Sequence, residues 1–269
     1  MALARRLTFR GHRVAWEVAG EGPDLVLIHG TPFSSHVWHR IAPVLEARYR
    51  VWRFDLLGYG ESDKAPEVSL AVQGALWAAL HGTWFAGRPA PFVIAHDFGG
   101  ATALRGHLLH GLAYARLLLV DPVAIRPWGS PFVAHVRDHE AAMAGLPAYI
   151  HRAILAAYVR GASHAGLTDA ALEPYLAPWL GGNGQAAFYR QIAQMDLRHT
   201  DEIEPRLGEI ACPVGILWGA EDAWIPLAIG ERLAAMIPGA RFAAVAGSGH
   251  LMQEDAPESI LAEALRFFG

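Results

Sequence analysis

The stretch Phe92-Val93-Ile94-Ala95-His96-Asp97-Phe98-Gly99-Gly100 decides how the rest of the chain is read. Four β-prone apolar or small residues run into a polar pair and two glycines, and an alanine- and leucine-rich segment, Ala101 to Leu112, follows. The pattern predicts a buried strand, a very tight turn and a helix. A turn so sharp strains the backbone of its central residue at the end of a sheet, and only small neighbours such as Ala95, Gly99 and Gly100 leave room for it. Asp97 stands at the apex. Taken alone, an aspartate there also has a plain reading as a helix N-cap.

Working outward, strand and helix alternate on both sides. Leu7 to Arg10 and Val14 to Val18 read as an opening β-hairpin around Gly11-His12-Arg13. Asp24 to Ile28 is a continuously apolar strand, as strands covered on both faces are, and ends in His29-Gly30-Thr31-Pro32. Ser34 or Ser35 can cap a helix with Trp38, Ile41, Val44 and Leu45 on one face. Tyr49 to Phe54 is a further strand, a helix is expected from about Leu70 to Leu80, and Leu117 to Val120 forms the strand before Asp121-Pro122. This alternation is the signature of a parallel sheet wound with helices.

The rhythm changes between residues 123 and 205, where helical segments (Pro131 to Ala144, Pro147 to Arg160, Thr168 to Pro178, Gly184 to Met195) are punctuated by glycine and proline with no convincing strand. Alternation then resumes with Val214 to Trp218, a helix near Pro226 to Ile237, the strand Arg241 to Val245 and a closing helix from Pro257 to Phe268. The expected division is therefore a core of residues 1–122 and 206–269, with 123–205 as an inserted helical cap.

At 269 residues, 53% of them hydrophobic and 18% charged, the chain has material for one large core. A net charge of −4 offers no electrostatic footprint for nucleic acid or an anionic membrane. Cys212 is the single cysteine, so no internal disulfide can form. The first residues lack an apolar signal core and no apolar run reaches the roughly 18 residues of a membrane span. A cytoplasmic monomer or homodimer acting on a small apolar organic molecule is expected. The histidine pairs His36 and His39, His107 and His110, and His135 and His139 have helical spacing, but no cysteine or carboxylate cluster completes a metal site, and neither metal nor cofactor is expected.

The Phe92 stretch resembles the nucleophile elbow of the α/β-hydrolase superfamily, with aspartate where lipases and esterases carry serine. Sequences with His-Asp-x-Gly-Gly here resemble epoxide hydrolases, haloalkane dehalogenases and haloacetate dehalogenases. Three further motifs are similar to those of that superfamily, in its order and each at a strand end. His29-Gly30-Thr31-Pro32 resembles the oxyanion-hole loop, which implies backbone donors at Thr31 and Phe98. Trp218-Gly219-Ala220-Glu221-Asp222 resembles the loop of the acid, and Gly247-Ser248-Gly249-His250 that of the histidine. The resemblance covers nearly the whole core but not the cap, and implies a mostly parallel eight-stranded sheet and an Asp97, Asp222, His250 triad. Asp121 is the reserve candidate for the acid.

An aspartate nucleophile selects the reaction, because a carboxylic acid of ordinary pKa is ionised at neutral pH and attacks without a base. On a saturated carbon it forms an alkyl ester, which water activated by His250 can cleave. The implied substrates are epoxides or carbon-halogen bonds. Phe98 and Thr31 stand where dehalogenases commonly carry tryptophan, arginine or asparagine, which favours the epoxide. Gln185-Ala186-Ala187-Phe188-Tyr189-Arg190 resembles the cap segment that supplies a leaving-group acid, which points to Tyr189. His29, Trp38, Trp128, Trp179 and Trp224 are candidates for lining the substrate pocket. A haloalkane or haloacetate dehalogenase, and a non-catalytic or non-hydrolytic binder on the same fold, are the alternatives.

Overall fold

The computed structural model describes residues 3–269. In chain order the elements are β1 (Arg5–Phe9), β2 (His12–Ala19), β3 (Asp24–Ile28), α1 (Ala42–Leu45), β4 (Arg50–Phe54), α2 (Leu70–Phe85), β5 (Phe92–His96), α3 (Phe98–His110) and β6 (Arg116–Val120). An all-helical excursion follows: α4 (Pro131–Asp138), α5 (Glu140–Ala144), α6 (Ala148–Arg160), α7 (Asp169–Leu176), α8 (Gly181–Ala193) and α9 (Arg198–Asp201). The chain ends with β7 (Val214–Gly219), α10 (Leu227–Met236), β8 (Arg241–Val245), α11 (Met252–Asp255) and α12 (Pro257–Phe268).

The strands form one eight-stranded sheet in the order β1-β2-β4-β3-β5-β6-β7-β8. Of these, β2 alone is antiparallel to both of its neighbours, and from β4 to β8 every pairing is parallel. The continuous apolar runs have the burial they imply: Leu25 to Ile28, Leu117 to Val120 and the whole of β7 are buried. Connections leave β3 toward β4 on one side and return to β5 on the other, so the ends of β3 and β5 lie side by side where the winding reverses. A crevice opens at such a switch point in wound sheets. Ile28 pairs with Ala95 there, which sets the loop after β3 against the turn after β5.

Several local expectations change. The opening hairpin turns on Arg10 and Gly11, both at positive φ, and its strands extend two residues beyond the expected starts. In place of one helix after Ser34 there is a 3-10 turn, Ser35–Trp38, whose His36 N–H is accepted by Ser34, and then the short α1 beginning next to Pro43. Splitting that helix turns Val44 out to solvent, 48% exposed, while Trp38, Ile41 and Leu45 stay buried. The segment from Pro131 to Ala144 breaks at His139, whose backbone (φ −136, ψ 33) is not helical.

Close approach explains the glycine after Phe98. A Cβ on Gly99 would lie 2.3 Å from Ile28 O and 2.6 Å from His29 O, both backbone atoms that no rotamer change can move. Gly99→Ala is therefore expected to lower unfolding stability by about 3 kcal/mol, whereas Gly82→Ala, in the interior of α2 with nothing within 4 Å, should raise it by about 0.5 to 1 kcal/mol. Urea titration of the two variants checks the pair, and equal midpoints would contradict the packing described.

Candidate active site

The turn after β5 holds Asp97 at φ 51, ψ −121, a conformation that costs a non-glycine residue of the order of 1–3 kcal/mol. Asp97 precedes α3, yet its side chain caps none of that helix's N–H groups. It points across the crevice instead. Asp97 Oδ1 accepts the Thr31 N–H at 2.6 Å, and Oδ2 lies 3.3 Å from His250 Nε2. Gly30 makes this approach feasible, since a Cβ there would come within 2.3 Å of Asp97 Oδ1. The Phe98 N–H, in the first turn of α3, has no partner within its helix.

His250 is fully buried and its Nδ1–H donates to Asp222 Oδ2 at 2.8 Å. The other oxygen of Asp222 accepts the N–H groups of Trp224 and Ile225 at 2.7 and 2.9 Å, so one carboxylate both shapes its turn and orients the imidazole. His250 Nε2 makes no hydrogen bond among the described residues and faces Asp97 Oδ2. Burial alone would push His250 down, but Asp222 and then Asp97 outweigh it and hold the imidazole well above the ordinary histidine range. Asp121 is not the partner of His250: its Oδ1 accepts the Gly219 N–H at 2.7 Å, while burial, followed by the charge of Asp222, raises its pKa well above the carboxylate range. His96 Nε2 lies 2.9 Å from His250 O, and burial, then His250, lowers its pKa to about 3, so it donates as a neutral imidazole.

In front of Asp97 lies a small, partly open pocket lined by Thr31, Phe98, Val123, Trp128, Gly129, Ser130, Val133, Tyr158, Met195, Trp224 and Ile225. Among the described residues, no cationic side chain lines it. Ser130 accepts the Val133 N–H as the cap of α4. Trp224 stacks on His250 at 4.9 Å and on Tyr158 at 4.5 Å between ring centroids.

Of the residues expected to line the pocket, Trp128 and Trp224 do. Trp38 and Trp179 do not: both are fully buried, and the Trp179 indole N–H donates to Pro32 O at 2.6 Å. His29 is a loop pin, with Nδ1 2.9 Å from Gly30 O and Nε2 accepting the Leu56 N–H at 2.9 Å. Tyr189 is the main correction. Its ring is fully buried and its hydroxyl is paired with His151 Nδ1 at 3.1 Å, away from the pocket. Tyr158, on α6, faces the pocket instead, and its hydroxyl makes no hydrogen bond among the described residues. Helical spacing carried a signal for it: Tyr158 lies three residues after buried Leu155 and seven after buried His151, on the inward stripe. Tyr149 is exposed and Tyr175 donates to Glu254.

The helix carrying Tyr158 is tied to the histidine loop. Asp255 accepts the N–H groups of His164 and Gly249, both at 2.8 Å, and the Ser163 hydroxyl, while Leu251 N–H donates to Ala162 O at 2.8 Å. Among the described residues, no group of three or more His, Cys, Asp or Glu side chains is placed to hold a metal ion, and no helix is long and apolar enough to cross a membrane.

Against known proteins, the family described as the alpha/beta hydrolase family matches residues 25–264. The chain belongs to the alpha/beta hydrolase family. It is similar over 99% of its length to an alpha/beta hydrolase fold protein of Burkholderia ambifaria, with 54% identity, 98% of that chain covered and a TM-score of 0.96. A 2-hydroxy-6-oxononadienedioate/2-hydroxy-6-oxononatrienedioate hydrolase of Paraburkholderia xenovorans is 27% identical over 87% of this chain and 83% of its own. The ancestral haloalkane dehalogenase AncHLD2 superposes with a TM-score of 0.77 at 20% identity, over 98% of this chain and 97% of that one, a likeness of fold. This alpha/beta hydrolase therefore shares its scaffold with enzymes of several chemistries.

Because the Asp97 charge helps to hold the proton on His250, Asp97→Asn should make the His250 imidazole titrate at lower pH than in the parent. A proton NMR titration of the ring checks this. An unchanged midpoint would mean that the two groups do not interact.

Proposed function

We propose that this alpha/beta hydrolase acts on an electrophilic sp³ carbon through an alkyl ester on Asp97, and that its substrates are neutral epoxides. The observation that carries the reading is the Asp97 carboxylate, held by Thr31 N–H on one oxygen and facing His250 and an apolar pocket with the other. On this reading residues 123–205 act as the cap, and Asp97, His250 and Asp222 as the triad.

The steps follow from the geometry. Asp97 Oδ2 attacks an epoxide carbon, the carbon-oxygen bond breaks toward oxygen, and Tyr158 donates its proton to the leaving alkoxide. Burial, and then the charge of Asp97, raises the Tyr158 pKa, so the hydroxyl holds that proton at neutral pH until the ring opens. Esterification removes the negative charge facing His250, which lowers its pKa, so the imidazolium gives up its Nε2 proton to solvent and becomes a base. His250 Nε2 then takes a proton from water as the water oxygen adds to Cγ of Asp97. The oxyanion forming at Oδ1 meets the N–H groups of Thr31 and Phe98. Collapse expels the diol as His250 returns the proton to it, the carboxylic acid left on Asp97 passes its proton to His250 and restores the starting pair, and Tyr158 is reprotonated from solvent.

Two features favour the epoxide over a halide. A departing halide is commonly held by a pair of side-chain N–H donors; the Trp128 indole N–H is already spent on Thr200 Oγ1 at 2.8 Å and the Phe98 side chain carries none, which leaves Trp224, among the described residues, as the single unengaged indole of the lining. The absence of a cationic side chain from the pocket lining disfavours haloacids and other carboxylate substrates.

A single turnover of styrene oxide in heavy-oxygen water should place the label in Asp97 and leave the first diol unlabelled, whereas label in that first diol would mean direct attack by water. Tyr158→Phe should lower kcat on the order of 100-fold and Tyr189→Phe only a few-fold. The reverse ranking would restore Tyr189 as the acid. Halide release from haloalkanes at a rate exceeding diol formation would favour a dehalogenase.

A further inference from the structure

We propose that Gln191, on α8, is a positioning residue for the oxyanion donor, so that the helical excursion, and not the sheet alone, sets the direction of the Thr31 N–H. This inference rests on the aspartyl-ester reading above and assigns a step of it to a residue that never touches substrate.

The residue is 2% exposed, and its side-chain carbonyl Oε1 accepts from the Thr31 hydroxyl and from the Tyr59 hydroxyl, both at 2.8 Å. Two donors converging on one oxygen fix the amide plane. Its amide nitrogen is buried with no partner, a cost that leucine or methionine would avoid if the position only filled space. A second hold comes from the same excursion: the Trp179 indole N–H donates to Pro32 O at 2.6 Å. Thr31 and Pro32 are thus gripped from above through a side-chain hydroxyl and a backbone carbonyl, while Thr31 N–H reaches down to Asp97 Oδ1 at 2.6 Å. Tyr59 is itself fixed, 1% exposed and edge-on to Trp179 at 5.5 Å between ring centroids.

The consequence differs between the two chemical steps. During ester formation Asp97 loses charge, so a slightly misdirected donor matters little. During ester hydrolysis a full negative charge grows on Oδ1, and the donor has to lie within about 2.7 to 3.1 Å of it. Loss of the Gln191 grip should therefore slow hydrolysis more than formation, and the covalent ester should accumulate.

The experiment is rapid-quench intact-mass analysis of the full chain turning over styrene oxide, beside steady-state kinetics and a thermal melt. Gln191→Leu is expected to slow ester hydrolysis about tenfold, which raises the fraction of chain carrying the adduct toward saturation, lowers kcat by no more than that factor and lowers the apparent KM, as slower breakdown of a covalent intermediate does. Thr31→Val breaks the same bond from its other end. It should reproduce the effect, and it carries the test if Gln191→Leu does not fold. The double variant should be no worse than either single one, because both remove one grip. Gln191→Glu keeps an acceptor for both hydroxyls and should recover much of the partition. Multiplying effects in the double variant, or a folded Gln191→Leu with the parent's adduct fraction, would overturn the inference while adduct in His250→Gln left the aspartyl-ester reading standing. No adduct even in His250→Gln would remove that reading and this inference together.

Discussion

Most of the molecule serves to place one carboxylate where an ordinary chain would not put it. Asp97 sits in a left-handed turn that its own side chain does nothing to relieve, since it makes no capping bond to the helix behind it. The relief comes from outside. Thr31 donates to one oxygen, Gly30 and Gly99 allow two backbones to pass at contact distance, and Val123 N–H donates to Asp97 O at 3.0 Å. A strain of the order of 1–3 kcal/mol persists only where the surroundings over-determine the conformation, and here the ends of β3, β5 and β6 all contribute.

That placement gives the electrostatics a direction. His250 lies between two carboxylates, one hydrogen-bonded and one facing it at 3.3 Å. Both favour its cation, against the cost of burial, and only the facing one is consumed by the chemistry proposed. The imidazole is accordingly proton-loaded at rest and basic once the neighbouring charge has been capped by carbon. Asp121 illustrates the opposite outcome nearby. Burial and neighbouring charges of the same sign raise its pKa, one of its oxygens is unpaired, and the other accepts from the backbone of Gly219.

How much of this was written in the sequence depends on whether a residue type does one job or several. Continuous runs such as Leu25 to Ile28 have one physical interpretation, and the sheet follows from them. Glycines next to a polar apex suit a helix N-cap as well as a sharp turn, and it was the resemblance to four motifs in the order of the alpha/beta hydrolases that pointed to Asp97, Asp222 and His250. The excursion was not legible. Tyr158 and Tyr189 both lie on amphipathic helices with similar neighbours, and only the fold tells which hydroxyl meets a pocket and which meets His151. Tryptophans divide in the same way, since Trp224 at a cavity wall and Trp179 in a core look alike as letters. His29 misled because a histidine at a strand end suits both substrate contact and loop fastening, and here its two nitrogens are occupied by Gly30 and Leu56.

The fastening between the end of α6 and the loop after His250 couples the helical excursion to the core. Asp255 accepts the N–H groups of His164 and Gly249 while Leu251 N–H donates to Ala162 O, so a change in the span between the Tyr158 phenol and the His250 imidazole has to be made against these bonds.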